Sequence, residues 1–334
     1  MVLHYRFMPI EHTPRNAPMT TTSDHHIIAI DEHIHTTWSY EHEPVQTVES
    51  NDIVTFDCRD ATNNQLDIAS TSGDVYSLAD DSTGHPLTGP VAVADAQPED
   101  VLAVDLLELQ HEGIGFSYFY PGDEGWGLLP EDFHDPGLHV WELDDGIGRF
   151  VNGIEVPLAP FPGNLGVAPA VEGKHSTTPP RRVGGNLDVK HLTTGSTLYL
   201  PVEVEGALFS IGDCHAAQGD GEVCVTGIEA PMIVTARLRI ISDMDIKQPQ
   251  FETAGPFSVN GDRMHATTGI SDDLMDATKK AIRHMITHLH DHHDLTRTEA
   301  YLLCSAIVDL KINEVVDKPN WVVSAYVPQS IFPD

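Results

Sequence analysis

The sequence predicts a mainly β protein, sandwich-like or barrel-like in its parts, carrying a C-terminal helical hairpin and therefore α+β overall. Three observations predict it. Short alternating runs rich in β-branched residues recur from Ile27 to Ile241, the apolar period changes from two to 3.6 after Gly269, and two helix-start signals follow that change. A chain of 334 residues buries a large core and suits more than one part. The expected division is a flexible leader over 1–24, an N-terminal β domain over 25–135, a second β domain over 136–268 and C-terminal helices with a final strand over 269–334.

The first strands are HIIAI, PVQTVES and IVTFDC, the last two separated by the turn Asn51-Asp52, followed by GPVAVAD and DVLAVDLLEL. From His111 to Pro136 the chain is glycine-rich and aromatic without periodicity, which reads as a long ordered loop, either serving a site or packing over the core by its own rings. LHVWEL, GRFVNGIEVPL, STLYLPVEV, GALFSI and MIVTARLRII form the second β section. Ser271 then reads as an N-cap with Asp272 and Asp273 in the first turn, and Leu274, Ala281, Ile282, Met285, Ile286 and Leu289 trace the apolar stripe of a helix from about Asp272 to His290. Thr296-x-x-Glu299 is a capping box for a second helix, expected to include Tyr301, Ala306 and Leu310, and WVVSAYVP is the last strand.

Eighteen Lys and Arg stand against 51 Asp and Glu, a formal net charge of -33, while 40% of residues are hydrophobic. The acid is a coat on a folded body, spread without a long single-sign block, and it suits a salt-rich cytoplasm where screening is short-ranged. Nucleic acid is disfavoured because basic residues cluster only at Arg181-Arg182 and Lys279-Lys280. No stretch has the length of a membrane span and the N-terminus lacks a secretory apolar region, so a cytoplasmic protein is expected. Four cysteines without a CxxC pair suggest reduced thiols.

The segment SIGDCHAAQGDGEVC, Ser210 to Cys224, delivers Asp213, His215, Asp220 and Glu222 through tight turns at the end of a strand. Adjacent carboxylates repel unless a positive charge sits among them, and no basic residue is near in sequence, so a bound divalent cation is the economical partner; a merely decorated acidic turn is the alternative. Asp188 follows a Gly-Gly turn that lets it reach inward, and His85 is isolated between turn residues, where it is either hydrogen-bonded or a ligand. The histidines 288, 290, 292 and 293 read as a solvated helix end. GxSxG, P-loop and GxGxxG signatures are absent, and Cys214 and His215, as strand neighbours, point to opposite faces.

HPLTGPV (His85 to Val91), GLLPEDF (Gly127 to Phe133), the long run Thr178 to Val223 and the helix Glu299 to Pro319 together resemble the acetamidase and formamidase family, amide hydrolases that release ammonia from short aliphatic amides. The resemblance covers nearly everything after about residue 25. It implies a mostly β fold with C-terminal helices, subunits that form homo-oligomers, and a divalent metal, Zn2+ or Ca2+, near the carboxylate-rich segment. On that footing Asp188, Asp213, His215 and His85 are expected to hold the metal, with Asp60 a further candidate. Glu222 is expected to act as general base and acid with Asp220 beside it, and Phe116, Tyr120 and Trp126 to wall a small dry pocket. Two other readings stay open: a metal-free amidase using Cys214, and a small-molecule-binding protein with a structural calcium site.

Overall fold

A computed structural model describes residues 23–332 apart from 81–83, 123–124, 254–262, 294, 298–299, 301–303 and 305–307. The strand Met232–Ile241 organises its larger sheet. It pairs antiparallel with Ile53–Cys58 on one side and Val101–His111 on the other, with a register shift between Thr235 and Ala236. Alternation in Ile53–Cys58 buries Val54, Phe56 and Cys58 and leaves the intervening residues half-buried, as a strand with one covered face requires. Nine strands complete this sheet, in the order His25–Ile27, Ile53–Cys58, Met232–Ile241, Val101–His111, Thr197–Pro201, Gln250–Thr253, Met264–Ser271, Trp321–Pro328 and Asp309–Glu314. It thus draws strands from all three sequence segments after the leader. Residues 1–22 lie outside the described region, whereas Asp24 is already tied to Ile53 through backbone and side chain.

A second sheet runs Gly184–Asn186, Phe161–Gly166, Phe209–His215, Leu87–Val93 and Ile34–His35, with Gln46–Val48 parallel to Leu87–Val93. The two sheets share one apolar core: Phe56 of the first and Phe209 of the second meet edge-on at 5.7 Å. The sandwich-like expectation therefore holds. The barrel-like one does not, because among the described residues each sheet runs open from edge to edge. A four-stranded sheet is built from Ile114–Phe119, Gly137–Asp144, Ile147–Arg149 and Glu155–Pro157. Six residues of the expected aromatic loop, Ile114–Phe119, are thus paired strand, and Phe116 and Tyr118 each find a partner across the ladder.

One long helix, Leu274–His293, lies on Met264–Ser271 and Trp321–Pro328 and buries Ala277, Ala281, Met285 and Leu289. Its cap is Asp273 rather than Ser271: Asp273 Oδ1 accepts from the Asp276 amide at 2.7 Å, while Ser271 still belongs to the preceding strand. The solvated-end reading holds for the exposed His290 and His292 but not for the half-buried His293, whose ring stacks on Phe332, nor for His288, whose ring stacks on the buried His265 with centroids 3.5 Å apart. Burial holds His288 neutral, its pKa lowered to about 3. Most of the expected second helix lies outside the described residues. Hydrogen bonds from Ala300 to Thr296 and from Val308 to Cys304 have helical spacing, but Leu310 belongs to the strand Asp309–Glu314.

The helix sits so close to the sheet that Gly269 has no room for a side chain. A methyl group there meets the Ala277 carbonyl oxygen at 1.9 Å and the Ala281 nitrogen at 2.5 Å, both backbone atoms. Gly269→Ala is expected to destabilise the fold by at least about 1–3 kcal/mol. Denaturant midpoints for the two proteins measure it.

Candidate active site

Strand Phe209–His215 carries a chemical load at its end because its alternation is broken. Ile211 and Cys214 both face the shared core, although three positions apart they belong on opposite faces. Asp213, between them, takes a left-handed conformation with φ 51°, which turns Cys214 inward and leaves Asp213 and His215 free for the site. Asp188 (φ 46°) and Glu222 (φ 47°) are held in the same region, which non-glycine residues occupy at a cost of about 1–3 kcal/mol each. Three acids of one buried cluster thus share this conformation. Gly163 supplies the floor: its carbonyl accepts from the amides of Leu187 and Asp188, at 3.0 and 3.2 Å.

Asp188, His215 and Glu222 form one buried group with ligand atoms within 4.8 Å of one another, and Asp213, His215 and Glu229 form a second, sharing the imidazole. His215 Nε2 lies 2.9 Å from Glu229 Oε1 and 3.4 Å from Glu222 Oε1, and its Nδ1 is 3.9 Å from Asp188 Oδ1. Among the described residues, the ion pairs of these four carboxylates are all to His85 and His215. Burial holds the Asp188 carboxyl well above the usual range; His215 opposes this and Asp213 adds to it. Glu222 is raised by burial and by the charges of Asp188 and Glu229, and Glu229 by burial and Asp213. Both oxygens of Asp188, His215 Nδ1 and Glu229 Oε2 are buried without a hydrogen-bond partner. Buried lone pairs left orphaned on three neighbouring residues fit a cation, which satisfies them and offsets the charge.

Of the expected ligands, then, Asp188, Asp213 and His215 come together. His85 stands behind them: its Nδ1 is 3.2 Å from both Asp213 Oδ2 and Asn164 Nδ2, and a single nitrogen serves one of the two at a time. Asp60 is buried nearby but spends one oxygen on the Thr62 amide and hydroxyl, at 2.7 and 2.5 Å, closing its own turn. Asp220 is not brought in. It is exposed and pairs with Lys190 at 3.0 Å, the basic partner that sequence distance conceals. Cys214 is buried in the core, its thiol pushed up by Cys58 and by burial, the opposite of what a nucleophile needs.

A cavity of ≈ 290 Å³ opens beside the cluster, lined among others by Thr62, His85, Tyr118, Trp126 and Asp317. Trp126 is placed as expected. Phe116 instead packs with Leu66, Val75 and Leu78, and its amide and carbonyl pair with those of Glu229, both at 2.8 Å, so it positions an acid and does not wall the cavity. Tyr120 stands behind Trp126, ring centroids 5.5 Å apart, and Tyr118 takes its place on the wall.

Sequence reasoning missed Glu229, Glu314 and Asp317. Glu229 is a lone acid in the apolar run from Ile228 to Met232, and Glu314 and Asp317 interrupt another just before Pro319. Such isolated acids were the available signal, since an ionic side chain in an apolar stretch is buried with a partner or not at all. Glu314 is fully buried and accepts the amides of Val316 and Asp317 at 3.0 and 3.1 Å.

The chain matches the model of the "Acetamidase/Formamidase family" over residues 21–176 and 170–334. It is 27% identical to a formamidase of Methylophilus methylotrophus over 371 aligned residues, covering 90% of each chain. Solved structures of a Thermoanaerobacter tengcongensis acetamidase/formamidase and a Bacillus halodurans acetamidase superpose with TM-scores of 0.81 each. Their identities are 28% and 27%; the match covers 92% of this chain in both cases, and 96% and 98% of theirs.

Proposed function

Because the chain belongs to the acetamidase/formamidase family, we propose that it hydrolyses short aliphatic amides such as formamide and acetamide to a carboxylate and ammonia, at the cluster around His215. The observation that carries this reading is the pair of overlapping buried carboxylate groups that share one imidazole, with orphaned lone pairs, beside a cavity. Asp188, Asp213 and His215 would hold a divalent cation, Zn2+ or Ca2+, with Glu229 closing the group. When bound, such a cation supplies Lewis acidity toward the carbonyl and makes water a better nucleophile near neutral pH.

The protein's own groups do the rest. His85, braced by Asp213, faces the cavity and orients the amide by hydrogen bonding. Glu222, raised by burial and like charges, takes the proton of the attacking water. Tyr118 and Trp126 exclude bulk solvent and limit the acyl group. The acidic coat suits a salt-rich cytoplasm, so assays belong in molar salt.

Ammonia release from formamide and acetamide tests the function. Glu222→Gln is expected to lower that rate about 10²–10⁴-fold while metal content, read by elemental analysis, stays at the wild-type level. Metal lost together with turnover would move Glu222 into the ligand set.

A further inference from the structure

Amide nitrogen leaves only when protonated, so a hydrolase of this kind needs an acid that touches the substrate. Glu222 is 5% exposed and is not on the cavity wall. Among the described residues that line the cavity, Asp317 is the one carboxylate. Resting on the amidase reading above, we propose that Asp317 is a catalytic residue that faces the nitrogen of the bound amide and protonates it as ammonia leaves.

The surroundings of Asp317 are built to hold it there. Glu314, itself buried, accepts the backbone amides of Val316 and Asp317, which fixes the turn that carries the carboxyl. Asn186 Nδ2 donates to Asp317 Oδ2 at 2.8 Å and sets the plane of the group. Among the described residues Oδ2 alone carries a side-chain hydrogen bond, which leaves Oδ1 to meet the amide. Asn186 is two residues from Asp188, so the strand that orients Asp317 also leads into the cation cluster. Burial raises the carboxyl to about 6, with His85 opposing and Asp213 reinforcing, so it retains a proton more readily than an ordinary aspartate.

The step balances as follows. Water oxygen bonds to the carbonyl carbon and gives one proton to Glu222. The C–N bond breaks as Asp317 transfers its proton to nitrogen, and ammonia departs. The product acid returns a proton to Asp317 and leaves as the carboxylate, while Glu222 releases its proton to solvent and the departed ammonia takes one up from solvent as ammonium. Amide and water become carboxylate and ammonium, with both side chains restored.

The experiment uses full-length wild type, Asp317→Asn and Asp317→Glu in molar salt. Ammonia release from acetamide and p-nitrophenolate release from p-nitrophenyl acetate are measured on each preparation. Nitrophenolate leaves without being protonated, and both rates scale with the folded fraction, so their ratio is insensitive to lost stability. Asp317→Asn is expected to lower the amide-to-ester ratio about 100-fold, and Asp317→Glu to recover part of it. An unchanged ratio in Asp317→Asn overturns the assignment. Wild type that releases no ammonia from any short amide overturns the amidase reading itself, a result obtained before any variant is compared.

Discussion

His215→Ala is expected to reduce amide turnover on the order of a thousandfold or more and to leave the purified protein without its divalent cation. The reason is positional. His215 belongs to both buried groups and is the imidazole within reach of Asp188, Glu222 and Glu229 at once. Removing it takes away a candidate nitrogen ligand and also the ring that separates the acids. Burial of each carboxylate already opposes its charge, and an ion stripped of its partner costs several kcal/mol. Elemental analysis and ammonia assays on the same preparation measure both effects. A variant that keeps its metal and its rate would place the chemistry elsewhere.

Gly163→Ala is expected to be nearly as damaging, although the residue carries no functional group. Its added methyl group would stand 2.4 Å from His215 Cε1, 2.5 Å from Asp188 Oδ1 and 2.8 Å from the Asp213 carbonyl oxygen. Contacts that short cannot be kept. The strand Phe161–Gly166 is buried along its whole length and lies against Phe209–His215, so it has no direction in which to yield. The predicted outcome is a loss of about 1–3 kcal/mol in stability with metal affinity reduced at least tenfold, the scale on which disturbed ligand support acts. Thermal melts and metal titration read the two effects. Unlike His215→Ala, this variant keeps every candidate ligand, so lost affinity would show that spacing sets the site.

The strands were legible because their alternation is local. Ile53–Cys58 and Met232–Ile241 show it directly, and the helix Leu274–His293 shows its own period. Asp188, Asp213, His215 and Glu222 were legible because glycines beside them announce turns. What could not be read is what depends on distance in the fold. Lys190 neutralises Asp220 from thirty positions away, so a reading based on neighbours in sequence mistakes a surface ion pair for an acid in need of a metal. Glu229 reaches His215 through pairing of its backbone with Phe116, and an aromatic expected on the cavity wall is spent on that task. His288 looks solvated by position and is stacked from its helix on His265 of the strand Met264–Ser271. In each case the missing fact is a partner, and partners are set by the sheet.

The most direct test of the account is metal content and amide turnover followed together on the wild-type protein, purified in molar salt, before chelation, after it and after divalent metal is returned. The account predicts a stoichiometric divalent cation, ammonia release lost as that cation is removed, and recovery when it is restored. Full turnover by protein shown to be free of divalent metal would contradict it.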